Sequence, residues 1–123
     1  MRGTRHLLLG KLGEMRAREY LERKGYKILE QNYKTRRAEI DIVARKGSTL
    51  VIVEVRSTAD EKFGMPEETL GPRKKRRLLW NAKAYVARKR YKELYRIDAI
   101  CVVFRGDGSD IPMRLTHYEN ILT

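Results

Sequence analysis

Three residues in the first half of the chain have the types and spacing for metal and phosphate chemistry: Asp41, Glu54 and Arg56. Asp41 lies in Glu39-Ile40-Asp41-Ile42-Val43-Ala44 and Glu54 in Leu50-Val51-Ile52-Val53-Glu54-Val55, two runs with the β-branched composition of strands. Lys46-Gly47-Ser48 between them has hairpin character. Side chains alternate across a sheet, so a two-residue loop at Gly47-Ser48 pairs Asp41 with Glu54, and one at Lys46-Gly47 pairs Asp41 with Ile52. In either register the carboxylates share a face, ~5 Å apart as a direct pair or ~7–8 Å as a diagonal one. Two such acids repel unless something cationic sits between them, and Mg²⁺ is commonly held by one or two carboxylates plus waters and substrate phosphate. The second run is almost continuously apolar, as in a central strand covered on both faces, so Glu54 is out of place there without a task. The alternative for the same residues is a structural acid pair neutralised by nearby Arg or Lys, with Arg56 on the same face as Glu54.

The second chemical signal is charge. The 123 residues carry 28 Lys and Arg against 16 Asp and Glu, a net +12. Hydrophobic residues make up 41% of the chain, which excludes wholesale disorder, so the excess speaks about partners: polyanions such as DNA, RNA or an anionic membrane surface. Most of the charge lies between Arg73 and Arg96, where eleven cations face one acid, Glu93. Arg73, Lys74, Lys75, Arg76 and Arg77 crowd the start of a helix, the end whose dipole is already positive, an arrangement that costs stability unless an external anion is bound. With Lys83 they are candidates for gripping a nucleic-acid backbone. Trp80, Tyr85, Tyr91 and Tyr95 are interspersed; Tyr85 falls on the apolar stripe and reads as core, while Trp80 sits off its centre. No base-reading motif is visible, so contact through phosphates and shape is expected. The apolar face of this helix is too modest for a lipid surface and is needed to cover the sheet, so no membrane partner is expected.

These residues need elements to position them. Leu9, Leu12, Gly13, Ala17, Tyr20 and Leu21 fall on one face of a helix over Leu9–Lys24, with Gly25 at its left-handed C-terminal position. Glu14 projects from the border of that face. Tyr26–Tyr33 is a weakly patterned strand, followed by the hairpin. Phe63–Gly71 reads as an irregular connection, Pro72 opens a second helix to about Tyr91, and Ile97–Phe104 and Met113–Tyr118 are further strands. The expectation is one α/β domain over residues 1–123, with a mixed sheet flanked by helices in the order α-β-β-β-α-β-β. Cys101, the single cysteine, lies in an apolar run and reads as an inert core thiol of a reducing compartment. Met1-Arg2-Gly3-Thr4-Arg5-His6-Leu7-Leu8-Leu9 has too short an apolar run for a signal peptide, and no run reaches membrane-spanning length, so a soluble cytoplasmic protein is expected.

Asp41 followed after twelve residues by Glu54-Val55-Arg56 resembles the D…(D/E)-x-K signature of the restriction-endonuclease-like nucleases. Gly13-Glu14, Gly25-Tyr26, Glu39-Ile40-Asp41-Ile42-Val43-Ala44, Val53-Glu54-Val55-Arg56, Phe63-Gly64 and Arg96-Ile97-Asp98 look, in this order, like the uncharacterised YraN-like family, similar in fold to archaeal Holliday-junction resolvases. The resemblance implies a Mg²⁺ or Mn²⁺ site built from Glu14, Asp41 and Glu54, with Arg56 at the scissile phosphate. It implies a DNA endonuclease acting on branched DNA and a homodimer. Two positions depart from the family pattern: Arg56 replaces the motif lysine, and Ala38 stands where glycine is common. Arginine keeps a phosphate-binding cation but is effectively always protonated, so it cannot act as a general base. Lys34 or Lys74 is a candidate to supply the missing lysine. The alternative function is a nucleic-acid-binding module without catalysis, in which Arg56 neutralises Asp41 and Glu54. A third is a protein-interaction domain whose basic helix meets an acidic partner.

Overall fold

The computed structural model describes residues 2–59 and 64–122, with side chains from residue 8 onward. Phe63, the start of the expected connection, lies outside the described residues. The elements are α1 (Arg2–Arg23), β1 (Lys27–Lys34), β2 (Glu39–Lys46), β3 (Thr49–Thr58), a 3₁₀ turn (Pro66–Thr69), α2 (Pro72–Lys89), β4 (Tyr95–Phe104) and β5 (Pro112–Tyr118). This is the expected order.

The five strands form one sheet in sequence order, β1-β2-β3-β4-β5. All neighbours are antiparallel except β3 and β4, which are parallel and joined by the crossover that parallel strands require, here α2. The helices cover opposite faces. On one, Ala17 and Leu21 of α1 pack against Ile42, Ala44, Val51, Val53, Ile100 and Val102. On the other, Leu78, Ala82 and Tyr85 of α2 pack against Val43, Leu50, Ile52 and Ile97. Covering on both faces explains why β3 and β4 read as near-continuous apolar runs. Tyr85 is 4% exposed and Cys101 is fully buried; burial pushes its thiol up to about 12, so it is inert as expected.

Several boundaries differ from expectation. Helix α1 starts at Arg2 rather than Leu9. It ends as expected: Gly25 is left-handed at φ 88°, and the Tyr26 amide donates back to the Leu21 carbonyl at 2.9 Å. Helix α2 stops at Lys89 because Arg90 takes the left-handed conformation, φ 54°, without a glycine to announce it. Strand β4 starts at Tyr95 rather than Ile97, since Leu50 of β3 pairs with Tyr95. The weak pattern of β1 has a physical cause: its register with β2 shifts between Ile28 and Glu30, a bulge that breaks alternation.

Candidate functional site

The β2–β3 hairpin closes at Gly47-Ser48, with Lys46 opposite Thr49 and Gly47 at φ 61°. This is the register that places Asp41 opposite Glu54. Yet pairing between the two strands ends one step earlier, at Ile42–Val53. Beyond that point β2 stays with β1, through Tyr33–Ile40 and Lys34–Glu39, while β3 stays with β4 as far as Thr58–Val103. The sheet forks, and the acids stand at the fork. Asp41 Oδ2 accepts the Val55 amide at 2.8 Å, satisfying a donor that the ladder no longer uses.

Asp41 also lies near enough to Glu54 and Glu14 for each to perturb it. Burial first, and the neighbouring Glu54 charge second, push Asp41 from 3.8 up to about 8. Both effects favour the protonated form of Asp41. Glu14 is raised by burial as well, against the lowering effect of Asn32 and Asp41. The Asn32 amide, in the orientation that satisfies its nitrogen and oxygen, donates to Glu14 Oε1 at 3.3 Å and Oε2 at 3.0 Å. Asn32 reaches it from a left-handed position in β1, φ 51°. Helix α1 comes close enough for Glu14 to arrive because residue 13 lacks a Cβ; one there would meet Ser57 Oγ at 1.8 Å.

Glu54 is 7% exposed. Lys74 Nζ lies 3.1 Å and Arg56 Nη1 3.4 Å from its Oε2. The Arg56 Nε donates to Thr69 Oγ1 at 2.8 Å, and that hydroxyl donates to the Pro66 carbonyl at 2.6 Å, so the 3₁₀ turn fixes the guanidinium. A buried carboxylate needs such partners, since an unpaired one costs several kcal/mol, of order 3–5.

Asp41, Glu54 and Arg56 line a cleft of about 570 Å³. One wall comes from α2, through Lys74, Arg77, Trp80 and Asn81; the other comes from the β1–β2 turn, through Lys34, Thr35, Arg36 and Arg37. That turn is built by Thr35, whose Oγ1 accepts the amides of Arg37 (3.2 Å) and Ala38 (3.1 Å). Asn81 Nδ2 donates to the Glu39 carbonyl at 2.9 Å and ties α2 to the separated end of β2. Glu14 lines a smaller adjoining cleft with Arg56, Ser57 and Thr69.

The structure thus gathers Asp41, Glu54, Arg56, Lys74 and Arg77, with Glu14 beside Asp41. Of the other basic residues singled out in α2, Arg73, Lys75, Arg76 and Lys83 do not line this cleft. Residues the sequence reading passed over are Arg36, Arg37, Asn81 and Thr69; the adjacent arginines just before Glu39-Ile40-Asp41 were the one signal available. Arg96, counted there with the helix cations, is a strand residue turned to the other face. It is 3.0 Å from Asp98 Oδ1 and 3.1 Å from Glu119.

Among the described residues, the group whose potential ligand atoms all lie within 4.8 Å of one another is Asp98, His117 and Glu119, not Glu14, Asp41 and Glu54. Its chemistry argues against a cation there. Asp98, fully buried, already accepts from Arg96, from His117 Nε2 (2.7 Å) and from the Asn120 amide (2.9 Å). Burial alone would raise its pKa, but the His117 and Arg96 bonds outweigh that and hold Asp98 below its ordinary value.

No helix among the described residues is long and apolar enough to cross a membrane. The sequence model of the uncharacterised protein family UPF0102 matches residues 13–102. A UPF0102 protein of Syntrophus aciditrophicus is 43% identical over 119 residues, covering 96% of this chain and 94% of its own length. One from Pelotomaculum thermopropionicum is 41% identical over 114 residues, 92% and 93% of the two chains. One from Persephonella marina is 43% identical over 95 residues, 76% and 82%.

Proposed function

This chain belongs to the uncharacterised protein family UPF0102, and for it we propose a divalent-metal-dependent endonuclease that hydrolyses phosphodiester bonds of DNA. The observation that carries this reading is a pair of carboxylates, Asp41 and Glu54, in a cleft whose walls are cationic. The donor set suits Mg²⁺ or Mn²⁺: the ligand atoms are hard carboxylate oxygens, and a bound cation would offset the repulsion between Asp41 and Glu54. Asp41 and Glu54 would hold the ion, with Glu14 next to them. When bound, such an ion lowers the pKa of a water and offsets charge on the phosphate.

The chain's own residues supply the rest. Arg36, Arg37 and Arg77 bind backbone phosphates from both walls. Arg56, oriented by Thr69, contacts the scissile phosphate. Lys74 takes the place of the lysine absent from position 56: its ammonium already sits at Glu54. Branched DNA and a dimer remain part of the proposal through the family resemblance.

A second reading, a binding module without catalysis, is favoured by one observation. Glu54 is already neutralised by Lys74 and Arg56, which makes a closed ion-pair cluster possible without metal. The test is a cleavage assay with Mg²⁺ or Mn²⁺ on single-stranded, duplex and four-way-junction DNA, with Glu54→Ala protein alongside. Cleavage that disappears in the variant supports the nuclease. Salt-sensitive binding with no cleavage under either metal supports the binding module.

A further inference from the structure

Trp80 is the chain's one tryptophan and is 63% exposed, although it sits on a helix that buries Leu78, Ala82 and Tyr85. Exposing so large an aromatic forgoes a substantial burial gain, since Trp dominates core and interface energetics when covered. Its position is specific. It lines the same cleft as Asp41, Glu54 and Arg56, on the α2 wall. At helical spacing its surface neighbours are Arg76 and Arg77 one turn before and Lys83 one turn after, all exposed. Among the described residues no ring or cation lies against it, whereas Tyr20, Tyr26, Tyr33 and Tyr85 each have such a neighbour. The indole is an open aromatic surface framed by cations, at the rim of an acidic floor.

We infer that Trp80 stacks an unpaired base of the nucleic acid, so that this cleft selects strands with a single-stranded nucleotide beside the bound phosphates. The inference rests on the nucleic-acid reading above and adds the feature recognised. Every base offers a π-face, so such a platform is tolerant of sequence. A base inside a continuous duplex is stacked on its neighbours and offers no free face. The cations around the indole hold the phosphates on either side of the stacked base, and the contact is therefore to a strand rather than to a free nucleobase. The polar, charged character of the cleft argues against an apolar protein partner in the same place.

The single tryptophan makes the test direct, because all indole fluorescence comes from position 80. Three labelled strands are titrated in metal-free buffer: oligothymidylate of about 12 nucleotides, within the range of single-strand sites, the same strand with abasic residues, and a blunt duplex of equal length. Anisotropy of the label reports binding and indole emission reports stacking. The expected result is strong quenching by oligothymidylate and little by the abasic strand or the duplex. Trp80→Ala should bind oligothymidylate roughly tenfold more weakly and Trp80→Phe nearly as well as wild type, with duplex binding unchanged in both. As an exposed position, residue 80 tolerates both changes without unfolding. Equal quenching by the abasic strand, or unchanged affinity of Trp80→Ala, overturns the stacking inference while binding itself stands. Anisotropy that fails to rise with any strand overturns the nucleic-acid reading and this inference together. Emission that shifts with protein concentration in the absence of DNA overturns it too, by showing that a second copy covers the indole.

Discussion

Glu54 and Asp98 sit on neighbouring strands, one register step apart, because Val53 pairs with Asp98 and Glu54 with Ala99. They point to opposite faces, and the two carboxylate centres built around them have opposite characters. Asp98 is saturated: a guanidinium, an imidazole and a backbone amide converge on it, and it is held below its ordinary pKa. At the fork the balance is reversed. Asp41 accepts a backbone amide but faces the Glu54 charge, and burial together with that charge pushes it up to about 8. A buried acid that is fully answered from within fastens elements together; one left facing another acid is available to something from outside.

The comparison can be broken most forcefully at Asp98. Asp98→Ala leaves Arg96 and His117 without their buried partner and should cost about 3–5 kcal/mol in urea unfolding, whereas Asp41→Asn should leave the midpoint unchanged or raise it. Equal losses at the two sites would erase the distinction. Next in size, Asp41→Asn should lower the rate of Mn²⁺-dependent cleavage roughly a hundredfold or more, the scale seen when a charge-stabilising group is removed from an active site. Metal binding gives a smaller effect: Mn²⁺ at about ten times its Kd stabilises the folded wild type by about 1.4 kcal/mol, read as a rise in Tm, and Glu54→Ala should show none of it.

The smallest effect sharpens the contrast through its sign. Asp41 binds its proton more tightly folded than unfolded, so its contribution to stability is present below 3.8 and is lost as pH rises toward about 8. Asp98 binds its proton less tightly when folded, so its contribution is present above the ordinary aspartate range and is lost as pH falls through its lowered value. Urea midpoints from pH 4 to 9 should therefore fall less steeply with rising pH in Asp41→Asn than in wild type. An identical slope in both proteins would mean that Asp41 is ionised throughout.

Much of this architecture was legible because local and global preferences agree. The hairpin signal at Lys46-Gly47-Ser48, the glycine after α1 and the proline opening α2 each state a boundary that packing then respects. Asp41 and Glu54 were legible for a related reason: alternation fixes their common face whatever the loop register. The fork was not, because nothing in residues 39–42 marks where β2 leaves β3; that depends on β1 and β4 each holding one strand. Nor was the Asp98 centre. Arg96, Asp98, His117 and Glu119 come from separated parts of the sequence, and only the β4–β5 register, Ile100 with His117, brings them together. Arg96 looked like one more helix cation because charge runs carry no information about facing.

The fork also divides the sheet by how freely it can change. From Lys46–Thr49 to Ile42–Val53 the hairpin is a ladder in which a one-residue slip would turn every side chain to the wrong face. Past Ile42 no β2–β3 pairing remains to be misaligned. An insertion or substitution in the Thr35–Ala38 turn can re-aim Arg36 and Arg37 without passing an error on to β3. Inheritance can therefore retune the mouth of the cleft, its charge, width and reach, while the strands that specify the fold remain as they are.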